Sequence, residues 1–150
     1  MNGTQRVTAV VRHSLLVILV LGLVGTEIEL LLLKHTDGFW QIAPLGLIGA
    51  GIVAVVWCAV TESAASLRVL DVVMVAFILS GAAGVLLHYQ GNVEWERERV
   101  PGIGGSSLVW QALMGATPTL APGTMLQLGL VGLLYGYVRR RELPERRTNE

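Results

Sequence analysis

Charge is what this chain has least of: Asp, Glu, Lys and Arg make up 15% of 150 residues, against about 25% in ordinary soluble domains. That scarcity excludes a soluble enzyme. The 11 basic residues are matched by 11 acidic ones, so no net charge attracts phosphates and a nucleic-acid partner is excluded too. One cysteine, Cys58, rules out an internal disulfide framework and any multi-cysteine zinc site. There is no glycine-rich phosphate loop, HExxH, nucleophile elbow or CxxC. The lone Gly102-x-Gly104 follows a proline instead of leading a strand into a helix.

What the chain does have is long apolar runs. A helix crosses the hydrocarbon layer in about 20 residues, because the layer is about 30 Å thick and each residue rises about 1.5 Å. Four runs meet that length, at residues 14–33, 39–60, 69–87 and about 120–138. The expected fold is therefore an all-α membrane protein with four transmembrane helices in an antiparallel bundle. The first run is too long for a signal-peptide core and no small-x-small cleavage site follows it, so it reads as a retained helix.

Four crossings put both termini on one side, with the Thr61–Arg68 connection. That side holds eight basic residues (Arg6, Arg12, Arg68, Arg139, Arg140, Arg141, Arg146, Arg147), and the other holds three (Lys34, Arg97, Arg99). The positive-inside rule then makes the termini cytoplasmic. Trp40 and Tyr89 fall at the outer boundary, and Trp57, Tyr135 and Tyr137 at the inner one, as amphipathic rings prefer.

The connections differ in kind. Lys34-His35-Thr36-Asp37-Gly38 is a tight turn, and Ser66 is the expected N-cap of the third helix. Residues 88–119 form an outer loop too long to lack structure of its own. Within it, Val93–Val100 alternates with period two and reads as extended, and Pro101–Gly105 as a turn. Ser106–Gly115 places Leu108, Val109, Ala112 and Leu113 at helical spacing, as a short interfacial helix capped by Ser106 or Ser107. Trp95 and Trp110 are expected to be protected. The tail at 139–150 reads as disordered.

Among polar residues Glu27 and Glu29 stand out, one to two turns inside the outer end of the first run. A carboxylate deep in lipid costs about 2.5–3.5 kcal/mol. Two positions apart means about 200° around a helix, so at most one faces the interior. The readings open are a tilt carrying both to the headgroups, a pairing with His88, Thr124 or Gln127, and a proton relay or ion ligand. His35 and His88 end the first and third helices on one side and would ligate haem or a metal with Glu27. Their place at the rim favours plain interfacial histidines stabilised by helix dipoles, so no metal or cofactor is expected. Arg68 and Asp71, three apart, are expected to pair. Cys58 reads as a small buried hydrophobe, and the basic tail as a topology signal or a contact for anionic lipid. Small-residue faces at Gly22 and Gly25, Gly46 and Gly49, Gly81 and Gly84, and Gly132 and Gly136 let helices approach closely in lipid.

Three stretches carry a resemblance: Gly91–Glu96, Ala116–Gly129 and Glu29–Leu45, the last with Lys34-His35 before Phe39-Trp40-Gln41. They resemble a pattern in small uncharacterised bacterial membrane proteins with four helices. The resemblance implies a bacterial inner-membrane protein with an ordered outer loop. That family has no assigned activity, so no site residue follows from it. The reading that fits is a non-enzymatic accessory, scaffold or assembly subunit, in contact with the lipid bilayer and with other subunits or further copies of itself. A small oligomeric transporter or channel using Glu27 or Glu29 is the alternative, and a haem or metal carrier through His35 and His88 comes third.

Overall fold

A computed structural model describes residues 3–61 and 63–147, with side chains described up to Glu142. Among the described residues there are five α-helices and no strand: α1 (Gly3–Leu32), α2 (Phe39–Thr61), α3 (Ala64–Arg99), α4 (Gly105–Leu113) and α5 (Gly123–Arg147). Three of them, α1, α2 and α3, are long and apolar enough to cross a membrane. The protein is a helical membrane protein. In α5 the apolar stretch is shorter: sixteen residues, Gly123 to Val138, precede Arg139, or about 24 Å at 1.5 Å per residue.

The described chain divides into two compact units, one up to Ile78 and again from Gln127, the other Leu79–Leu126, so that α3 and α5 each belong to both. In the first unit the core is aliphatic and aromatic. Leu19 and Leu23 of α1, Ile48, Ala54, Val55 and Cys58 of α2, Leu67, Leu70, Met74 and Phe77 of α3, and Leu128 and Tyr135 of α5 are buried. Glycines set how closely the helices meet. Gly51 leaves room for the Phe77 ring and Leu23, Gly22 for Leu128, and Gly132 for Met74 and Leu19. At Gly129 an added Cβ would stand 2.6 Å from the backbone carbonyl of Met74.

The turn after α1 forms as expected, by a motif that normally uses glycine. Lys34 takes a left-handed conformation (φ 50°). Its amide donates to the Leu31 carbonyl at 3.0 Å, and the His35 amide to Leu30 at 3.0 Å. This is a Schellman ending. The Gln41 side chain then accepts the Asp37 amide at 2.9 Å, and Gly38 (φ 94°) turns the chain into α2.

The second unit departs from the sequence reading. Val93–Val100 is not extended: α3 stays helical to Arg99, a 36-residue helix. Glu and Arg are good helix formers, and the stripe His88, Asn92, Glu96, Arg99 recurs at helical spacing toward one side. The turn follows at Pro101-Gly102, where Gly102 (φ 85°) and the Ile103 amide bonded to the Val100 carbonyl at 3.1 Å make a type II turn. The short helix exists as α4, but its N-cap is Gly104, with no side-chain cap from Ser106 or Ser107. Nor does Ser66 cap α3. Ser63 does, its hydroxyl accepting the Ser66 amide at 3.1 Å. At the other end α5 continues helically to Arg147 where a disordered tail was expected, while residues 148–150 and the side chains of Arg146 and Arg147 lie outside the described residues.

The packing glycines separate into two kinds. A Cβ at Gly22, Gly81, Gly84, Gly132 or Gly136 would collide with a neighbour, whereas Gly25, Gly46 and Gly49 have nothing within 4 Å. Gly129→Val should therefore lower stability by about 1–3 kcal/mol through overpacking. Gly46→Ala should be neutral or stabilising by up to about 1 kcal/mol through helix propensity. Thermal unfolding of the two variants in detergent checks the contrast.

Candidate functional site

The densest polar cluster lies in the second unit, centred on a residue that sequence reasoning did not single out. Asn92 is 2% exposed and uses every hydrogen-bonding position of its amide. Its Nδ2 donates to the carbonyls of Ala112 (2.9 Å) and Thr117 (2.7 Å), with the Thr119 Oγ1 also 2.9 Å away. Its Oδ1 accepts from the Thr117 amide (3.1 Å) and hydroxyl (2.8 Å). Buried Thr119 donates its own hydroxyl to the Ala112 carbonyl at 3.0 Å. Gly115 is obligatory beside it, because a Cβ there would stand 2.6 Å from the Asn92 amide carbon. Asn92 thus pairs both backbone groups of Thr117, as a neighbouring strand would.

One turn to either side, the same face of α3 continues the tie. His88 Nδ1 lies 3.1 Å from the Pro118 carbonyl, so that nitrogen must carry the proton. Glu96 is buried and accepts two bonds from Arg99, at 2.7 and 3.2 Å, while Arg99 also reaches Gln111 at 3.0 Å. Beyond Thr117 the chain runs through successive i to i−3 turns, Pro118–Ala121 through Pro122–Met125, into α5. Pro122 seats against Gly81 and Gly84 of α3, where a Cβ at Gly81 would be 2.6 Å from the Leu126 nitrogen. The helical spacing of His88, Asn92 and Glu96 was the signal available in the sequence. Reading that stretch as extended concealed it.

A second polar cluster belongs to the first unit. Asp71 does not pair with Arg68, which is exposed. It takes both guanidinium nitrogens of Arg140, at 2.6 and 2.9 Å. Gly136 makes room for that carboxylate, and its added Cβ would meet Asp71 at 3.0 Å. The hydrogen bonds that Arg140 donates to Asp71 hold its pKa above the usual value, partly opposed by burial. Arg12 pairs with Glu142, Arg141 stacks on Tyr137 with 4.8 Å to the ring centroid, and buried Arg139 approaches the Cys58 carbonyl at 3.5 Å. Cys58 is buried as expected, beside Ser66 and Tyr135.

The other polar residues singled out from the sequence do not gather into a site. Glu29 and Gln127 are exposed, and Glu27 is half-buried with one carboxylate oxygen, Oε2, buried and without a hydrogen-bond partner. His35 lies in the turn after α1. Among the described residues no group of three His, Cys, Asp or Glu side chains converges as a metal site would require. Trp95 and Trp110, expected to be protected, are 53% and 66% exposed. Once α3 is helical, Trp95 falls off the buried Asn92–Glu96 stripe. The face α4 turns inward is Leu108 and Ala112, leaving Trp110 outside.

No protein-family model, curated protein or solved structure matches this chain.

Two outcomes follow from these clusters. Asn92→Leu removes the partner of the Thr117 amide and carbonyl, while the Ala112 carbonyl keeps the Thr119 hydroxyl; at about 1–3 kcal/mol for a lost partner, the Thr117 amide should exchange with solvent at least about tenfold faster, measured by hydrogen exchange. For the second cluster, an Asp71→Ala/Arg140→Ala double-mutant cycle should return a coupling of about 0.5–1 kcal/mol that falls with added salt, as for a part-exposed pair.

Proposed function

We propose that this chain is a non-enzymatic accessory or assembly subunit of a larger membrane complex, crossing the bilayer four times with antiparallel helices and both termini cytoplasmic. The fourth crossing is composite, the turns of Pro118–Pro122 followed by the apolar part of α5. Orientation rests on the eight-to-three distribution of basic residues.

The observation that carries the role is the set of open glycines. Gly25 of α1 and Gly46 and Gly49 of α2 have no neighbour within 4 Å, and α1 and α2 turn many large apolar side chains outward. In lipid, packing replaces the hydrophobic effect as the force between helices, and small residues admit the closest approach. Polar side chains, by contrast, are largely engaged in ties within each unit, as a protein that packs rather than reacts requires.

A second reading has one observation behind it. The buried, unpartnered Oε2 of Glu27 suits a small oligomeric channel or transporter in which that carboxylate lines the path.

Extraction in mild detergent followed by intact-mass measurement separates these readings. A different chain at fixed stoichiometry, released by Gly46→Leu/Gly49→Leu, supports the subunit role. A homo-oligomer whose ion flux is abolished in Glu27→Gln supports the channel, and a monomer with neither overturns both.

A further inference from the structure

From Val100 to Val138 the chain carries no Asp, Glu, Lys or Arg, a run of 39 residues that includes all of α4, the non-helical segment after it and the apolar part of α5. The part of it that joins α3 to α5, residues 100–122, would carry about a quarter of its residues as charges if it ran through water like an ordinary soluble segment. Within the second unit α4 buries Leu108 and Ala112, and turns Val109 (47% exposed), Trp110 (66%), Leu113 (41%) and Met114 (70%) outward. These four stand at i, i+1, i+4 and i+5, so they share one helix face, bordered by exposed Ser106 and Ser107.

The level of that face is set by α3. The Ala112 carbonyl is held by Asn92, five residues beyond Leu87, the last residue of the apolar run of α3. At about 1.5 Å per residue this is about 7.5 Å past the end of that apolar run, at headgroup level and within side-chain reach of the acyl boundary on which amphipathic helices rest their apolar faces. Tryptophan is the side chain most enriched there, since its ring is apolar and its N–H wants a polar partner.

We propose that the Val109–Trp110–Leu113–Met114 face of α4 is a lipid-contact surface resting in the headgroup–acyl boundary, latched at that depth by Asn92. α4 carries no cation of its own, and the guanidinium that reaches it, Arg99 at Gln111, is paired with Glu96, so the face reads the apolar boundary and not headgroup charge. The proposal rests on the membrane reading above, and its failure is separable from failure of that reading.

The test uses the full chain reconstituted in phosphatidylcholine vesicles carrying bromine at shallow or deep acyl positions. Subtracting the fluorescence of Trp110→Phe from that of the wild type isolates Trp110, and Trp110→Tyr supplies an independent subtraction. The Trp110 component is expected to be quenched several-fold more by shallow bromines than by deep ones, little by aqueous iodide, and equally with or without phosphatidylglycerol. The Trp95 component, isolated through Trp95→Phe, is expected to respond to iodide, because Trp95 stands eight residues past Leu87 among glutamates. Iodide quenching of Trp110 without bromine quenching overturns the proposal, since the face is then in water. Silence to both also overturns it, because a second copy or another protein then covers the face. Stronger quenching with phosphatidylglycerol overturns the claim of charge independence. If no tryptophan responds to either bromolipid, Trp57 of α2 included, the membrane reading itself has failed.

Discussion

Away from water every backbone N–H and C=O must find its partner inside the protein, because each buried orphan costs about as much as a lost hydrogen bond or more. Helices satisfy this by themselves, which is why α1, α2 and α3 need little more than apolar side chains. The stretch from Gly115 to Pro122 cannot do so. It is non-helical where the chain turns back toward α5, and its backbone is paired partly by its own i to i−3 turns and, at Thr117 and Pro118, by side chains from α3. Asn92 closes both backbone groups of Thr117, and His88 takes the Pro118 carbonyl. The return of the chain depends on that substitution of side chain for ladder.

At the opposite end of the sequence order, the charges follow a related logic. A carboxylate and a guanidinium near the ends of apolar helices are less costly together than apart, and Asp71 with Arg140 meets that condition with two bonds. Arg139 lies near the Cys58 carbonyl, one of the last four of α2, which have no partner within the helix. Cations are favoured at such a terminus.

Glycine has two physical uses in this chain. Where a Cβ would strike a neighbour, as at Gly81, Gly129 and Gly132, glycine sets the helix spacing. Where nothing stands nearby, as at Gly25, Gly46 and Gly49, the same residue leaves an open face and costs helix propensity. That cost is not returned by any packing contact among the described residues.

The membrane character, the positions of the apolar runs and the turn at Lys34–Gly38 were legible from the sequence, because each depends on local composition over one helix length or less. The helix at 105–113 was legible from its spacing, though not its cap, since Gly104 supplies extended backbone and no side-chain signal. The extension of α3 to Arg99 was not. Alternating residues in Val93–Val100 fit a strand or a helix alike, and only the ties of Asn92 and Arg99 to α4 decide between them. The partner of Asp71 was equally hidden: Arg68 is three residues away and Arg140 is 69, and sequence spacing weighs only the near one. Local composition therefore determined which segments are long and apolar enough to cross a membrane. Tertiary structure alone decided which polar groups meet, because hydrogen-bond partners far apart in the chain leave no periodic trace in it.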